Sequence, residues 1–401
     1  MTACWLFLAL WLPLHGSEIE APSAETVRIA SFNLLNLFDN VDDPDRDDEG
    51  TDPKALEERQ VLARTIASLE ADVLGVQEVE NREVLESLNR HLDKPFPYVE
   101  LIEGNDGRGI DCGLLSRFPI ESATSHRLQT LEGGGRFSRD FPVFRLRLAR
   151  DEYLHVGVVH LKSKRGEAKV SDGKRKGEAA AAVAIIERLR ALDPKTPCVV
   201  LGDFNDTRGS DPLSPFFRAL EDPTAKIEEK QRYSYVYRGT PEQIDFILTT
   251  KDIKATGAGA LHEDNSGSDH APVWIDWAVG RTVQRTPAPP QQGWPKIRRE
   301  AIDARDLEGL EKHLLQEVAV TGRVTKVHRP GDYAAILNFH PEYKKAVTVY
   351  IPAEAFPRLP DLDSLVGKTV TARGPVSRRG PLGTGVYSIR VTQSAQLTAE
   401  R

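Results

Sequence analysis

Short apolar runs that end on a polar residue constrain the fold of this chain more than any other feature. Segments of helical character separate several of these runs. Alternating β and α segments predict a layered α/β domain, in which functional groups gather at the ends of strands. The predicted strands are residues 27–32, 72–79, 110–115, 141–148, 154–161, 197–201, 243–248 and 271–277, and the predicted helices are residues 53–70, 81–91 and 177–192.

Composition divides the chain into four parts. Residues 1–21 contain a short apolar run followed by small residues, which predicts a secretory signal and a secreted or periplasmic protein, although no Lys or Arg precedes the run. Residues 22–278 form the predicted α/β domain. Residues 279–300 are rich in Pro and Gln and predict a semi-rigid linker.

The fourth part, residues 301–401, has a different pattern. A short helix is predicted at residues 301–315, followed by five strand-like runs. About 100 residues with five strands predict a small closed β-barrel similar to the oligonucleotide-binding (OB) fold. The predicted strands are residues 318–327, 333–339, 346–351, 369–376 and 386–391.

The distribution of charge excludes a uniformly basic nucleic-acid-binding protein. The net charge is −7, but residues 301–401 contain 14 basic and 11 acidic residues, a balance of +3 that leaves −10 for the first 300. Contact with a polyanion therefore depends on local basic patches. One such patch is residues 162–176, with seven Lys and Arg in fifteen positions, for which a surface loop is an equally good interpretation.

Other features give narrower expectations. Cys112 and Cys198 lie in apolar runs, which predicts buried free thiols rather than a disulfide. After the leader, no segment is long and apolar enough to cross a bilayer, so we expect no stable membrane insertion. Nothing indicates a protein partner, and we expect a monomer.

Polar residues at strand ends are the candidate site. Each one alone is better explained as a turn, a cap or a structural histidine, but six such positions in one domain point to shared chemistry. The residues are Asn33, Glu78, His160, Asp203 with Asn205, Asp269 with His270, and Asp245 inside a buried run.

This set suits hydrolysis of phosphoesters. Glu78, Asn33 and Asp269 supply hard oxygen ligands, which favour Mg²⁺, with Mn²⁺ or Ca²⁺ as alternatives, over zinc. A cation there stabilises charge that develops on a phosphoryl group.

The remaining residues are assigned to proton transfer and phosphate binding. Asp203 accepts a proton from the attacking water, and Asn205 holds that water or the phosphate. His160 and His270 donate to non-bridging oxygens, and Asp245 or a neighbouring carboxylate fixes one imidazole tautomer. The candidate substrate-binding residues are Arg108, Arg139, Lys162 and Arg175.

Two further segments have open interpretations. The acidic loop at residues 42–52 is either a second cation site or, more simply, a solvated loop. Tyr233, Tyr235 and Tyr237 alternate, which predicts one face of a strand, packed in the core or at a rim; stacking on bases is the alternative.

The ordered motifs resemble the endonuclease/exonuclease/phosphatase superfamily, which includes deoxyribonuclease I-like enzymes. The resemblance covers roughly residues 27–278 and implies a four-layer α/β sandwich with a divalent-metal phosphoesterase site. It implies Asn33, Glu78 and Asp269 near the metal, and the other residues at the phosphate. Leu35 stands where abasic-site enzymes have Asp, so their metal geometry does not transfer directly. The matching stretches are residues 29–33, 76–79, 159–163, 201–205, 244–247 and 268–273.

Three functions compete. The first is an exported nuclease acting on DNA or RNA, whose C-terminal domain is similar to the OB-fold domains of exported bacterial nucleases. The second is a phosphoesterase for phospholipid head groups or small phosphate esters. The third, a non-catalytic binding protein, is disfavoured because every residue type that the chemistry needs is present.

Overall fold

The computed structural model describes residues 25–41, 43, 45–47, 51–296, 300–378 and 385–400. The predicted leader at residues 1–21 and part of the acidic loop lie outside these described residues. Within them, no helix has both the length and the apolar character that crossing a membrane requires.

The first domain contains two large sheets, a small hairpin and the principal helices. Its strands are β1 Thr26–Leu37, β2 Val73–Val79, β3 Tyr98–Ile102, β4 Asp111–Ser116, β5 Ile120–Thr124, β6 Val143–Ala149, β7 Glu152–His160, β8 Cys198–Asp203, β9 Tyr235–Tyr237, β10 Thr240–Glu242, β11 Asp245–Thr249, β12 Ala255–Ala260 and β13 Val273–Ala278. Its helices are α1 Leu56–Ser68, α2 Arg82–Arg90, α3 Ala168–Leu192, α4 Ser214–Ala219 and α5 Glu229–Arg232.

The two large sheets pack face to face. One has the order β12-β13-β1-β2-β4-β3 and the other the order β11-β8-β7-β6-β5. Ile29 and Leu114 of the first sheet share one buried apolar cluster with Val158 and Leu201 of the second. Helices α1 and α2 cover the outer face of the first sheet, and α3 and α4 cover that of the second. The predicted α/β fold is therefore confirmed.

A glycine permits the close approach of the two sheets. A Cβ atom added at Gly75 on β2 would lie 2.1 Å from Leu201 Cδ1 on β8, well inside van der Waals contact. The strands on either side of this contact carry the candidate residues at their ends, so the packing here fixes the separation of the two halves of the site.

Helix α3 begins at Ala168, nine residues before the predicted start at residue 177. Gly173 and Gly177 weaken the sequence signal because glycine has low helix propensity. Tertiary contacts override it: Arg175 is fully buried, and Glu178 accepts the backbone N–H groups of Ser138 and Lys162 at 2.7 and 2.8 Å.

The segment predicted as a linker lies along the first domain. Arg285 pairs with Asp72, and Trp294 stacks on His91 with ring centroids 4.3 Å apart. Because several of its residues contact the first domain in this way, the described part of the segment is packed against that domain and is not a free spacer.

The C-terminal domain is built on one sheet. Its strands are β14 Ile302–Asp303, β15 Glu317–Arg323, β16 Lys326–Gly331, β17 Ala334–Asn338, β18 Thr348–Pro352, β19 Thr369–Ser377, β20 Ser388–Arg390 and β21 Leu397–Ala399, and its helix is α6 Leu307–Glu311. Sheet order is β14-β15-β19-β20-β18-β17-β16, with β21 also paired to β19. The five predicted strand regions are all present, but no closed barrel is found among the described residues.

The prediction of a helix at residues 301–315 is wrong for most of these residues. The chain forms the short strand β14 and then the five-residue α6, because the Asp306 side chain accepts the Gly309 N–H and starts the helix there. Cys112 and Cys198 are buried and unpaired, as the sequence predicts.

Candidate active site

Three candidate residues form a row across the second sheet. His160 ends β7 and is the register partner of Asp203, which ends the parallel strand β8. Asp203 is in turn the partner of Asp245, which begins the antiparallel strand β11. Residues in register on adjacent strands point to the same face. The sheet therefore presents an imidazole and two carboxylates side by side.

His270 completes this row from the loop before β13. Its Nδ1 lies 2.7 Å from Asp245 Oδ2, and both side chains are buried. Burial opposes the charged imidazole, but the carboxylates of Asp245, Asp269 and Asp203 outweigh it and raise the pKa of His270 well above its usual value. His270 is therefore a cation, and it pairs with Asp245 through Nδ1 and not through Nε2.

Asp203 lies at the centre of the site. It accepts hydrogen bonds from Asn33 Nδ2 at 3.2 Å and from the backbone and side-chain nitrogens of Asn205 at 2.8 and 3.1 Å. Burial, together with the nearby charge of Asp245, raises the pKa of Asp203 to about 7. A carboxylate with this pKa exchanges protons near neutrality, which is what a general base requires.

His160 differs from His270 in charge. Burial lowers the pKa of His160 well below its usual value, and the positive charges of Arg139, His270 and Arg108 add to the shift. Its Nε2 lies 3.5 Å from Asp203 Oδ2 and 3.8 Å from Glu78 Oε1. The site therefore pairs a neutral imidazole with a charged one.

Backbone strain concentrates at this site. Four of the eight non-glycine residues with positive φ in the described chain line the same cavity: Leu35, Asn36, Glu78 and Asn205, with φ between 53° and 59°. Left-handed backbone is uncommon for such residues, and its clustering is typical of functional sites. At Glu78 it accompanies irregular pairing of β2 with both neighbours, and Asn36 N–H donates to Glu78 Oε2 at 3.1 Å.

The row opens into a cavity of about 500 Å³. Its lining combines the exposed side chains of Lys164, Arg165 and Tyr237 with the buried side chains of His160, Asp203 and His270. Of the three tyrosines noted in the sequence, Tyr235 and Tyr237 line this cavity from the β9–β10 hairpin, and Tyr233 instead stacks on His262. The lining residues that the sequence predicted are Glu78, Arg108, Arg139, His160, Asp203, Asn205, Asp269 and His270.

Asp106 is a residue of the site that sequence reasoning missed. Its Oδ1 lies 3.2 Å from Arg108 Nε, and its Oδ2 lies 3.0 Å from Arg139 Nε. Both arginines line the cavity, so one carboxylate orients two cations toward it. An aspartate in a Gly/Asn loop carries the signal of a turn, which hides this role.

Two predicted substrate-binding residues lie elsewhere. Lys162 lines a neighbouring trough of about 620 Å³ that shares Arg139 and Arg165 with the active-site cavity. Arg175 is fully buried, bonded to Asp206, Asp172 and the Lys162 carbonyl oxygen, and it lines neither space. Its position fits a structural role rather than a contact with substrate.

The residues at the site fit a hard cation that is bound by only a few protein ligands. Among the described residues, no three acidic, His or Cys side chains converge as a metal site. Glu78 and Asp269 both face the cavity, and one or two carboxylates with water and phosphate oxygens are the usual environment of Mg²⁺. The Asn33 amide is already hydrogen-bonded at both ends, to Asp203 and to the Leu35 N–H.

Several solved structures are similar to about two thirds of this chain. The human Nocturnin catalytic domain with bound sulfate is 17% identical, with a TM-score of 0.47 over 64% of this chain and 96% of that one. Truncated TDP2 of Caenorhabditis elegans is 16% identical, with a TM-score of 0.44 over 63% and 98%. An endonuclease/exonuclease/phosphatase from Bacteroides vulgatus is 19% identical, with a TM-score of 0.44 over 63% and 98%. No curated protein sequence matches the chain.

The family model described as the endonuclease/exonuclease/phosphatase family matches residues 28–259. This match covers more than half of the chain and includes all of the sheet row except His270. It confirms the resemblance seen in the ordered motifs. The chain belongs to the endonuclease/exonuclease/phosphatase family.

Proposed function

We propose that this protein is an exported, divalent-metal-dependent phosphodiesterase, a nuclease that hydrolyses DNA or RNA by in-line attack of water. The observation that carries the proposal is the row His160–Asp203–Asp245 with the buried Asp245–His270 pair. His160, Asp203 and His270 line a cavity that cationic side chains also line. Family membership supports phosphoester hydrolysis in general.

Each residue of the site has a separate role in the proposed reaction. Asp203, with a pKa of about 7, takes a proton from the attacking water, and Asn205 beside it orients that water. The charged His270 donates from Nε2 to a non-bridging phosphoryl oxygen, where negative charge grows in the transition state. Asp245 keeps that imidazole charged and holds its orientation.

Glu78 and Asp269 are the residues that would hold the cation. When bound, a divalent ion supplies positive charge for the phosphoryl oxygens. Asn33 supports the site by its hydrogen bond to Asp203, so the proposal treats it as a positioning residue rather than a direct ligand.

A polymeric substrate accounts for the cationic side chains around the cavity. Arg108, Arg139, Lys164 and Arg165 surround the cavity, and the adjoining trough adds Lys162 and Lys174. Phosphate contacts by such residues position a nucleic acid backbone. The mouth is charged rather than apolar, which disfavours a lipid surface as the substrate source.

We further propose that the C-terminal sheet forms an OB-like barrel, which serves as an accessory domain. In the sheet order, β15 lies next to one end and β16 forms the other end. Only Val324 and Thr325 separate the two strands along the chain. If β15 and β16 are halves of one bent strand, the order closes on itself with five strands. The parallel pairing of β18 with β20 is consistent with that arrangement. Export rests on the leader sequence alone.

The test is hydrolysis of plasmid DNA, single-stranded DNA and RNA by the purified chain with Mg²⁺, Mn²⁺, Ca²⁺ or chelator. We expect chelator-sensitive cleavage that His270→Ala abolishes. His262→Ala is the matched control, because His262 is exposed and stacks on Tyr233 outside the cavity. Folded protein that cleaves no nucleic acid with any metal would overturn the nuclease proposal, and a panel of phospholipids and small phosphate esters would then identify the substrate class.

A further inference from the structure

A second cavity lies between the catalytic domain and the C-terminal sheet. It has a volume of about 380 Å³ and shares Leu35, Asn36 and Arg108 with the active-site cavity. Arg390, at the end of β20, lines it from the C-terminal domain. The C-terminal domain therefore contributes a cation to a space that adjoins the catalytic residues.

Direct contacts between the domains hold Arg390 in this place. The side-chain amides of Asn265 and Gln393 pair across the interface, three residues along the chain from Arg390. Glu317 of β15 accepts the Leu56 N–H at the start of α1 at 3.3 Å. The catalytic domain thus contacts the C-terminal domain directly at two places.

Two of the cations that line the cavity are incompletely satisfied. Lys54 is 7% exposed, and among the described residues its ammonium has one hydrogen bond, a long one of 3.5 Å to Gly267 O. Arg390 Nε is buried and has no hydrogen-bond partner in the described chain, while its Nη2 lies 3.4 Å from Glu354 Oε1. Burial of a polar group without a partner costs free energy, which a bound anion recovers.

Among the described residues, three carboxylates line this cavity beside the three cations. Glu58 is engaged with the Ala55 N–H at the start of α1, and Asp47 and Asp52 lie on the acidic loop. Glu58 offsets the electrostatic repulsion between Lys54 and Arg390.

We propose that this cavity is a second phosphate-binding subsite, in which Lys54, Arg108 and Arg390 bind a neighbouring phosphodiester of the same nucleic acid strand. The inference rests on the proposed nuclease function and extends it: the substrate is a strand long enough to reach both domains. Tyr350 is the register partner of Arg390 on the adjacent strand, so a strand that leaves the cavity passes an aromatic side chain.

The experiment compares Arg390→Gln with the wild-type full chain on two substrates. One is a single-stranded oligonucleotide of about 20 residues, longer than the span of one binding domain. The other is bis(p-nitrophenyl) phosphate, a phosphodiester too small to reach both cavities. Arg329→Gln is the matched control, because Arg329 also pairs with a surface carboxylate of the C-terminal domain, at 3.0 Å from Asp363.

For Arg390→Gln we expect kcat/KM on the oligonucleotide to fall by about tenfold or more, the effect of one lost charge-assisted hydrogen bond. kcat/KM on the small diester should stay within about twofold. Binding of the oligonucleotide in chelator should weaken in parallel, and the slope of log Kd against log salt should decrease by about 0.7. Lys54→Met, which keeps the length of the buried side chain, should likewise weaken binding of the oligonucleotide in chelator; binding is its readout because Lys54 interacts electrostatically with Glu78 and Asp269.

Equal losses on both substrates, or no loss on the oligonucleotide, would overturn the subsite. If the wild type cleaved the oligonucleotide and Arg390→Gln had the same kcat/KM on it, the subsite proposal alone would fail and the nuclease proposal would stand. If the wild type hydrolysed the small diester but neither bound nor cleaved the oligonucleotide, the nuclease proposal would fail and the subsite with it. Thermal unfolding midpoints of the variants separate these outcomes from loss of the fold.

Discussion

Asp245 and His270 form a buried charged pair, with Asp245 Oδ2 2.7 Å from His270 Nδ1. They come from a strand of the second sheet and from the loop that enters the last strand of the first sheet. The pair therefore joins the two sheets beside the cavity, which His270 lines and Asp245 does not. Its effect is electrostatic, because the carboxylate keeps a cation next to the phosphate position.

Replacement of Asp245 by Asn should remove that cation. The amide cannot stabilise an imidazolium, so the pKa of His270 should fall and kcat/KM should decrease by about 10²–10⁴. NMR titration of His270 in chelator measures the pKa, and steady-state kinetics measures the loss. The double variant with His270→Ala should be no slower than His270→Ala alone. Additive losses would show that Asp245 acts independently of His270.

Asp203 should govern the acid side of the pH profile. With a pKa of about 7, its base form disappears as the pH falls, so kcat/KM should rise with pH through about 7. Asp203→Asn should lose both the activity and this limb, whereas Asp211→Asn, a change at an exposed carboxylate, should retain both. A wild-type profile that is flat between pH 5 and 9 would exclude Asp203 as the base.

The same shift predicts how stability depends on pH. The folded pKa of Asp203 lies above the usual value of 3.8, so the folded state binds the proton more tightly than the unfolded state. This contribution to the free energy of unfolding is fully present below pH 3.8 and is lost as the pH rises through about 7. Urea unfolding of the wild type and Asp203→Asn across this range measures it. A difference between the two that does not change with pH would contradict the shift.

Most of the site was predictable because its residues lie next to recognisable strands. His160, Asp203 and Asp245 end or begin short apolar runs, and the register of those strands then brings the side chains together. The C-terminal strands were also predictable from their spacing. No local signal indicates that Asp106 orients two arginines or that Arg390 adjoins Lys54, because these relationships arise only from tertiary packing.

Chelation and loss of either carboxylate should act on the same step. Glu78→Gln and Asp269→Asn should each raise the metal concentration for half-maximal activity by about 10–100-fold, and excess metal should restore part of the rate. Asp264→Asn, an exposed change five residues from Asp269, is the control. Titration of activity with Mg²⁺ after chelator treatment measures the effect. Variants that need no more metal than the wild type would remove Glu78 and Asp269 from the metal site.

Arg175 should prove structural although it lies in a basic segment that resembles a phosphate-binding patch. Its guanidinium is fully buried and bonded to Asp206 at 2.9–3.0 Å, so Arg175→Ala removes the buried partner of this carboxylate and leaves it only the half-exposed Lys164 and the Thr207 N–H. Such a loss costs about 3–5 kcal/mol of unfolding free energy. The next residue, Lys176, pairs with Asp211 on the surface, where Lys176→Ala should cost no more than about 1 kcal/mol. Urea unfolding of both variants tests the contrast. If Arg175→Ala instead kept full stability and raised KM, the arginine would be a substrate ligand after all, and its burial would have to open when substrate binds.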